Sequence, residues 1–277
     1  MSKQADVRTI GFIGAGNMPR SIIGGMIRGG YPADKVWASN RSRPKLDALH
    51  SDFGIQVTQD NHELVAACDV IVLSVKPQIM QEVCADLKAH SPDITKKLVT
   101  TVAAGVPIAK YHAYLGNETR VIRIMPNTPS LVGEGVSGLC ADTSVTEADR
   151  SYITQVFDYV GLTIWLEEES SIDVLGAVAG SGPAYFFEFM DGLQKAAEAL
   201  GFDATTARAM VQQTALGAAK MATESELSLE ELRKQVTSKG GSTAKGIEAY
   251  QEHKLNEISD QAVRAAVARN QEMAKLF

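Results

Sequence analysis

The chain has 277 residues, of which 45% are hydrophobic, and its formal net charge is −6. This length supports one large or two medium domains, and a mild negative charge without runs of Lys or Arg argues against nucleic acid or an anionic membrane as the main partner. Because no apolar segment approaches membrane-spanning length and the opening MSKQADVRTIGF has no apolar signal core, we expect a cytoplasmic protein.

Residues 7–30, VRTIGFIGAGNMPRSIIGGMIRGG, join an apolar strand to a glycine turn and a helix. This order predicts a dinucleotide-binding unit, because a helix N-terminus offers free backbone N–H groups to a pyrophosphate and glycine lets the phosphate approach. Gly14 and Gly16 match the first two glycines of G-x-G-x-x-G/A, whereas Pro19 replaces the third small residue. Proline is tolerated in a first helical turn. An ordinary βα turn is the alternative.

The strand predicted at residues 35–39 ends where an NAD-binding fold places an acidic residue for the ribose hydroxyl. The residues here are Ser39-Asn40-Arg41-Ser42, with no acid among them. A guanidinium beside hydroxyl and amide groups suits the extra phosphate of NADP, so this pattern predicts NADPH in preference to NADH. The alternative is that Arg41, Arg43 and Lys45 only form the solvated start of a helix. This alternative is strong for Arg43 and Lys45 and weaker for Arg41.

A third strand is predicted at residues 55–58, and Asp60-Asn61 can cap the helix that follows. The run at residues 69–75 is apolar without alternation, which is typical of a central parallel strand buried on both faces. It leads into Lys76-Pro77. Ligands of doubly wound sheets lie just beyond the carboxyl ends of such strands, so this loop is a candidate site.

Two later strands are predicted to end in comparable loops. The strand in KLVTTVAAG leads into a loop at residues 103–105, and the strand in TRVIRIMPNTP leads into a loop at residues 127–129. The residues of both loops are small or polar. The alternation of strands and helices predicts a mainly parallel sheet covered on both faces. The carboxyl ends of parallel strands share one edge, so we expect these loops to converge with Lys76-Pro77 on one ligand.

Strand candidates at 135–141 and 162–168 complete a first domain, residues 1–168. The second domain, residues 169–277, is helical throughout. Its segment 172–200 is apolar around most of its circumference, which predicts a buried helix. A small domain cannot easily surround so long an apolar helix, and burial in a subunit interface is the favoured interpretation.

The stretch VTSKGGSTAKG, residues 236–246, contains the second candidate site. Gly240 and Gly241 precede Ser242 and Thr243, which builds a glycine-led helix start with exposed N–H groups, suited to a small carboxylate. A plain turn between helices is the alternative, and on this stretch alone it is the favoured one.

Taken together, five motifs in chain order resemble the pyrroline-5-carboxylate reductase family. They are GFIGAGNM, Val75-Lys76-Pro77, Met125-Pro126-Asn127-Thr128-Pro129, Gly180-Ser181-Gly182-Pro183-Ala184-Tyr185 and the 236–243 loop. The resemblance implies an N-terminal Rossmann-type doubly wound sheet followed by an all-helical dimerisation domain, in a homodimer or a ring of dimers. It places active sites between the cofactor domain of one subunit and helices of its partner. Pro19 and Lys239 depart from the family pattern.

The activity that the resemblance implies is the last step of proline biosynthesis. NADPH, with NADH as a weaker substitute, reduces 1-pyrroline-5-carboxylate to L-proline by hydride transfer to the cyclic imine carbon. The implied cofactor contacts are Gly14, Gly16, Asn17, Met18, Ser39, Asn40, Arg41, Asn61, Val75, Lys76, Ala103 and Asn127. The implied substrate contacts are Ser238, Gly240, Gly241, Ser242 and Thr243. Thr243, with its hydroxyl near the ring nitrogen, and Lys76 are the implied catalytic residues.

Reduction of an imine that arrives already protonated needs no strong general acid. No histidine lies in the motif loops, which favours catalysis by orientation and electrostatics.

The three cysteines form no close pair, so we expect reduced, buried thiols and no metal, with a metal or redox role as the minor alternative. The β-hydroxyacid dehydrogenases, which use a lysine on the long interdomain helix, are the alternative enzyme class. A catalytically silent NADPH sensor is the alternative that lacks a need for the glycine-serine-threonine loop.

Overall fold

The computed structural model describes residues 7–275, which form two compact units. The first contains the chain up to Ser181 and again from Ala266, and the second contains Gly182–Ala265. Half of the opening segment on which the expected lack of a signal core rests, residues 1–6, lies outside the described residues. Within residues 7–275, no helix is both long and apolar enough to cross a membrane.

The first unit is built on one eight-stranded sheet with the order β3-β2-β1-β4-β5-β6-β7-β8. Its strands are β1 (Ile10–Ile13), β2 (Val36–Ser39), β3 (Gln56–Thr58), β4 (Val70–Leu73), β5 (Leu98–Thr101), β6 (Arg120–Met125), β7 (Gly135–Ala141) and β8 (Gly161–Trp165). All neighbours pair in parallel except β6 and β7. The predicted mainly parallel sheet is confirmed, and its chain order reverses between β1 and β4, where doubly wound folds bind ligands.

Helices cover both faces of this sheet, as predicted. They are α1 (Asn17–Arg28), α2 (Arg43–Phe53), α3 (Asn61–Ala67), α4 (Met80–His90), α5 (Ile108–Leu115), α6 (Glu147–Asp158) and α7 (Ser171–Leu175). One apolar cluster joins α1, α2 and α6 to the sheet, and a second joins α3, α4, α5 and α7 to the opposite face. The four residues of β4 are all buried, as expected of a central strand.

Glycines in α1 position the loop after β6. A Cβ atom on Gly25 would lie 2.1 Å from Ser130 O, and one on Gly24 would lie 2.7 Å from Leu131. Both contacts are to the 3-10 turn Thr128–Val132. The close approach of helix and turn therefore requires glycine, and it holds the loop that begins at Asn127 beside the sheet edge.

The helix predicted across residues 172–200 is not continuous. After α7 the chain makes a π-helical turn, Gly176–Gly180, and then α8, Gly182–Ala199. Within the turn, the Ser181 N–H donates to Gly176 O at 2.9 Å. The Asn127 Nδ2 donates a hydrogen bond to Ala179 O at 3.0 Å. Gly176 and Gly180, at the two ends of the turn, permit the change of helical pitch.

The second unit is helical, as predicted. Its remaining helices are α9 (Ala204–Glu224), α10 (Leu229–Gln235), α11 (Ser242–Glu252) and α12 (Leu255–Ala274), the last of which continues into the first unit. Ser228 and Glu231 form a capping box at the start of α10. Large apolar side chains on α8 are exposed in the single chain, Phe186 to 71% and Phe187 to 67%. This surface is what the expected subunit interface requires.

Asp149 in α6 is a buried carboxylate at the amino end of the sheet. It accepts hydrogen bonds from Arg8 at 2.8 Å, Arg120 at 2.5 Å and the Thr146 hydroxyl at 2.8 Å. Burial alone would raise the pKa of Asp149, but these hydrogen bonds and the charge of Arg120 hold the pKa below its usual range. A depressed pKa adds stability above the unfolded-state value, and that stability is lost as the pH falls through the folded-state pKa.

Replacing this carboxylate is expected to lower the stability of the first unit. Asp149→Asn leaves two arginines without their anion and should lower the free energy of unfolding by about 3 kcal/mol at neutral pH. The deficit should shrink below about pH 4, where the wild-type carboxylate loses its advantage. Urea denaturation at both pH values measures it, with Glu147→Gln, whose side chain is 94% exposed, as the control. A pH-independent deficit would mean that ionisation of Asp149 is not its cause.

Candidate functional site

The glycine turn after β1 is held between the carboxyl ends of β2 and β4. The Gly14 N–H donates to Ser39 O at 2.8 Å, and the Ser74 Oγ donates to Ile13 O at 2.9 Å. Gly14 has a φ of +112°, and a Cβ atom there would lie 2.8 Å from Ser74 O. Conformation and space both exclude a side chain at this position. Ser74 is a site residue that the sequence pattern does not single out, since its one signal is a hydroxyl within an apolar strand.

The first turn of α1 presents backbone donors without a capping side chain. Gly16 is the N-cap, no side chain hydrogen-bonds to the first N–H groups, and the turn contains no acidic residue. The N–H groups of Asn17 and Met18 have no partner within the helix. Pro19 is the third helical residue, where a missing N–H costs little, and α1 continues past it without a break. The cradle therefore fits a pyrophosphate.

Two of the implied cofactor residues contact each other beside this turn. The Ser39 Oγ, at the end of β2, donates to Asn61 Oδ1 at 2.7 Å. Asn61 is the first residue of α3 and does not cap it, because the carboxylate of Asp60 accepts the His62 N–H at 2.8 Å. The capping alternative for Asn61 is thus wrong, and its side chain faces the β2 end.

The next two residues after β2 also face this edge of the sheet. The Ala15 N–H approaches Asn40 Oδ1 at 3.4 Å, and Arg41 is exposed with its carbonyl held by Gln59 Nε2 at 2.8 Å. Among the described residues, the Arg41 guanidinium forms no ion pair. Arg43, in contrast, binds Asp47 at 2.8 Å on the surface of α2, as the solvated-helix alternative predicts. Arg41 is therefore the basic group in this loop with its charge available to an anion.

The loops after β4 and β5 place further implied residues at the same sheet edge. Val75 is half-buried and Lys76 is exposed at the end of β4. Ala103 is buried after β5, and its N–H donates to Thr101 Oγ1 at 3.3 Å. The strand register aligns Ile13 of β1 with Leu73 of β4, so these loops leave the sheet at the same level as the glycine turn.

Asn127, after β6, is 5% exposed and its amide is largely engaged by the protein. Its Oδ1 accepts the Val136 N–H at 2.8 Å, and its Nδ2 donates to Ala179 O at 3.0 Å. A primary amide carries two N–H donors, so one donor of Asn127 is left for a ligand. The side chain both joins β7 to the π-helical turn and retains a group for the implied nicotinamide contact.

In the second unit, the implied substrate residues form the start of α11. Gly241 is the N-cap, no side chain caps the helix, and the Gly241 N–H donates to Ser238 O at 3.1 Å. Gly240 adopts the left-handed conformation with a φ of +74°. Ser242 and Thr243 are exposed in the first turn. Free N–H groups with a hydroxyl beside them suit a carboxylate-bearing ligand.

The structure gives no support to a catalytic lysine on α8 or to reactive cysteines. Lys195 is the one lysine of α8, is 72% exposed and forms an ion pair with Asp191 at 2.5 Å. It is therefore a surface lysine and not a candidate for catalysis. Cys68, Cys84 and Cys140 are free and buried, as predicted. Burial raises the pKa of Cys68 and of Cys84 to about 12, which keeps both thiols protonated and unreactive.

Two family models match the chain. The model described as pyrroline-5-carboxylate reductase dimerisation matches residues 169–273, and the model described as NADP oxidoreductase, coenzyme F420-dependent, matches residues 9–105. The second match extends from β1 to the loop after β5, which is the part of the first unit that contains the glycine turn.

Relatives named pyrroline-5-carboxylate reductase match over nearly the whole chain. The protein from Vibrio alginolyticus is 47% identical over 98% of this chain and 99% of its own length, and the one from Pseudomonas aeruginosa is 43% identical over 96% and 97%. Among solved structures, the reductase from Coxiella burnetii has a TM-score of 0.90 at 41% identity, covering 97% of this chain and 99% of that one. The Plasmodium falciparum pyrroline carboxylate reductase with NADP bound has a TM-score of 0.87 at 27% identity, covering 98% and 99%.

Proposed function

The chain belongs to the pyrroline-5-carboxylate reductase family, and from this membership and its two glycine-led helix starts we propose that it reduces 1-pyrroline-5-carboxylate to L-proline with NADPH. The observation that carries the proposal is the pair of uncapped helices, α1 with N-cap Gly16 and α11 with N-cap Gly241. The first suits a pyrophosphate, and the second suits a small carboxylate. NADPH, when bound, supplies a hydride to the imine carbon, and the ring nitrogen keeps the proton with which the substrate arrives.

The residues of the first unit are proposed to bind and orient the cofactor. Gly14, Gly16, Asn17 and Met18 surround the pyrophosphate with backbone, and Ser39, Asn40, Arg41 and Asn61 face the ribose and its phosphate. Val75, Lys76, Ala103 and Asn127 border the nicotinamide half, where Lys76 adds a positive charge. This assignment is supported by the common sheet edge at which these groups lie and by the open cradle at Gly14. Orientation and electrostatics then replace proton-transfer chemistry.

The substrate is proposed to bind at the start of α11. The N–H groups of its first turn hold the carboxylate together with Ser238 and Ser242, and the Thr243 hydroxyl orients the ring nitrogen. The support is the absence of any capping side chain at Gly241 and the exposure of Thr243. A silent NADPH sensor has no use for such a cradle, and the dimerisation-model match over the same region favours the enzyme.

Arg41→Ala tests the choice of cofactor. A hydrogen bond to a charged group contributes roughly 1.5 to 3 kcal/mol, so the variant should bind NADPH about tenfold or more weakly, with little change for NADH, the weaker substitute. Fluorescence titration measures both affinities. Arg43→Ala is the matched control, because its guanidinium already pairs with Asp47 and should leave both affinities unchanged. Equal losses for the two cofactors would show that Arg41 supports the fold and does not read the phosphate.

We also propose that the protein forms a homodimer, or a ring of dimers, through its helical region. In this proposal residues 1–168 bind the cofactor, and residues 169–277 bind the substrate and form the subunit interface. The exposed apolar side chains of α8 and of the π-helical turn support this, since burying them requires another surface. Free, buried cysteines are consistent with the proposed cytoplasmic location.

Val178→Glu tests the proposed interface, because Val178 is apolar and 54% exposed in the single chain. A charge buried there without a partner should cause dissociation, aggregation or failure to fold, as light scattering would reveal. Lys96→Gln is the control, because it changes an exposed side chain of the first unit and should leave the molecular mass of the oligomer at the wild-type value. A wild-type protein that is an active, folded monomer in solution scattering would refute the proposal.

A further inference from the structure

Two helices of the first unit bring together three side chains of types that bind metals, one of which, His62, directly follows the cofactor-assigned Asn61 in α3. The His62 Nε2 lies 3.2 Å from Asp86 Oδ2, and the His90 Nδ1 lies 3.1 Å from Asp86 Oδ1. The three ligand atoms that the residues offer all lie within 4.8 Å of one another. His62 is on α3, while Asp86 and His90 are one turn apart on α4.

We propose that His62, Asp86 and His90 form a binding site for a divalent transition-metal ion, with zinc as its best fit. In a tetrahedral zinc site with bonds of 2.0 to 2.1 Å, neighbouring ligand atoms are about 3.3 Å apart. Both nitrogen-to-carboxylate distances here are close to that value. Two imidazoles and one carboxylate favour zinc over magnesium or calcium, which prefer oxygen ligands.

Ser91 orients one of the ligands. Its Oγ lies 2.7 Å from His62 Nδ1, so the other ring nitrogen of His62 is turned towards Asp86. Ser91 is itself 7% exposed, and its N–H is held by Leu87 O at 2.8 Å. A partner on the second nitrogen that fixes the ring orientation is a regular feature of metal-binding histidines.

An aspartate that merely bridges two histidines is the competing interpretation of this cluster. The metal site is favoured because the ligand side chains remain accessible, with exposures of 34% for His62, 47% for Asp86 and 66% for His90. An ion can therefore enter, and water can occupy its fourth position. Bound metal would join α3 to α4 and stabilise the folded first unit in proportion to its occupancy.

Titration of zinc chloride into the tag-free, EDTA-treated full-length protein tests the site. Calorimetry should give one zinc per chain, and the melting temperature should rise with zinc concentration. His90→Gln should weaken binding by at least about tenfold, because loss of a ligand costs no less than the 10- to 100-fold loss for an outer-shell partner. His253→Gln, which removes an exposed histidine from the second unit, is the matched control and should bind zinc like the wild type.

Cobalt substitution separates this site from non-specific binding. Cobalt should give the visible absorption of a low-symmetry site in the wild type and in His253→Gln, and it should not do so in Asp86→Asn or His90→Gln. Circular dichroism checks that both variants remain folded, and the milder Asp86→Asn keeps the test decisive if His90→Gln unfolds. Absence of stoichiometric zinc binding in the wild type, or equal binding by the wild type and a folded Asp86→Asn, would overturn the proposal.

Discussion

Gly241→Val is expected to lower kcat/KM for 1-pyrroline-5-carboxylate by about a hundredfold or more, because displacement of a bound substrate by about 1 Å can have that effect. A Cβ atom at this position would lie 2.5 Å from Ser238 Oγ and 3.3 Å from Ser238 O, so the added side chain crowds the start of α11. The φ of Gly241 is −77°, which any residue can adopt. The severity therefore comes from crowding, and the backbone conformation that needs glycine belongs to Gly240.

The control for this variant lies in the same helix. Gly246→Ala has no atom within 4 Å of its new Cβ and should leave activity unchanged. Steady-state kinetics with saturating NADPH gives kcat and KM, and fluorescence titration gives the affinity for NADPH, which should stay at the wild-type value in both variants. Wild-type kinetics for Gly241→Val would show that the loop is a plain turn between helices. An equal loss of NADPH affinity would instead indicate a general disturbance of the fold.

Thr243→Val should lower kcat/KM for the same substrate by about ten- to a hundredfold, the effect of one oriented hydrogen bond. Valine keeps the shape of threonine and removes the hydroxyl proposed to orient the ring nitrogen. Ser242→Ala is the matched control in the same exposed turn, and its effect should be mild because backbone N–H groups hold the carboxylate. Full activity of Thr243→Val, or a loss of NADPH affinity as large as the loss for substrate, would contradict the assigned role.

Local sequence patterns predict the first unit well because each signal is short in range. A strand, a glycine turn and a helix occur in the order required by the Gly14 cradle, and the buried strand at residues 70–73 is recognisable from its unbroken apolar run. Capping of α3 by Asp60 is likewise a matter of neighbouring residues. These features follow from periodicity and from capping chemistry.

Features that depend on distant residues could not be predicted in the same way. The π-helical turn involves a hydrogen bond from Asn127 to Ala179, 52 residues away, so residues 172–200 resemble one helix when considered alone. The two uses of the Asn127 amide are equally invisible in the motif around it. The cluster of His62, Asp86 and His90 depends on the packing of α3 against α4, and this packing cannot be recognised from the sequence alone.

Addition of 1-pyrroline-5-carboxylate to the purified protein with NADPH tests whether the protein is a pyrroline-5-carboxylate reductase. We expect NADPH to be consumed with formation of one proline per NADPH oxidised, and we expect no NADP reduction when a 3-hydroxy acid replaces the imine. Oxidation of the 3-hydroxy acid without any reduction of the imine would assign the protein to the dehydrogenase alternative. Tight NADPH binding without turnover of either substrate would indicate the silent sensor, and either result would contradict the proposed function.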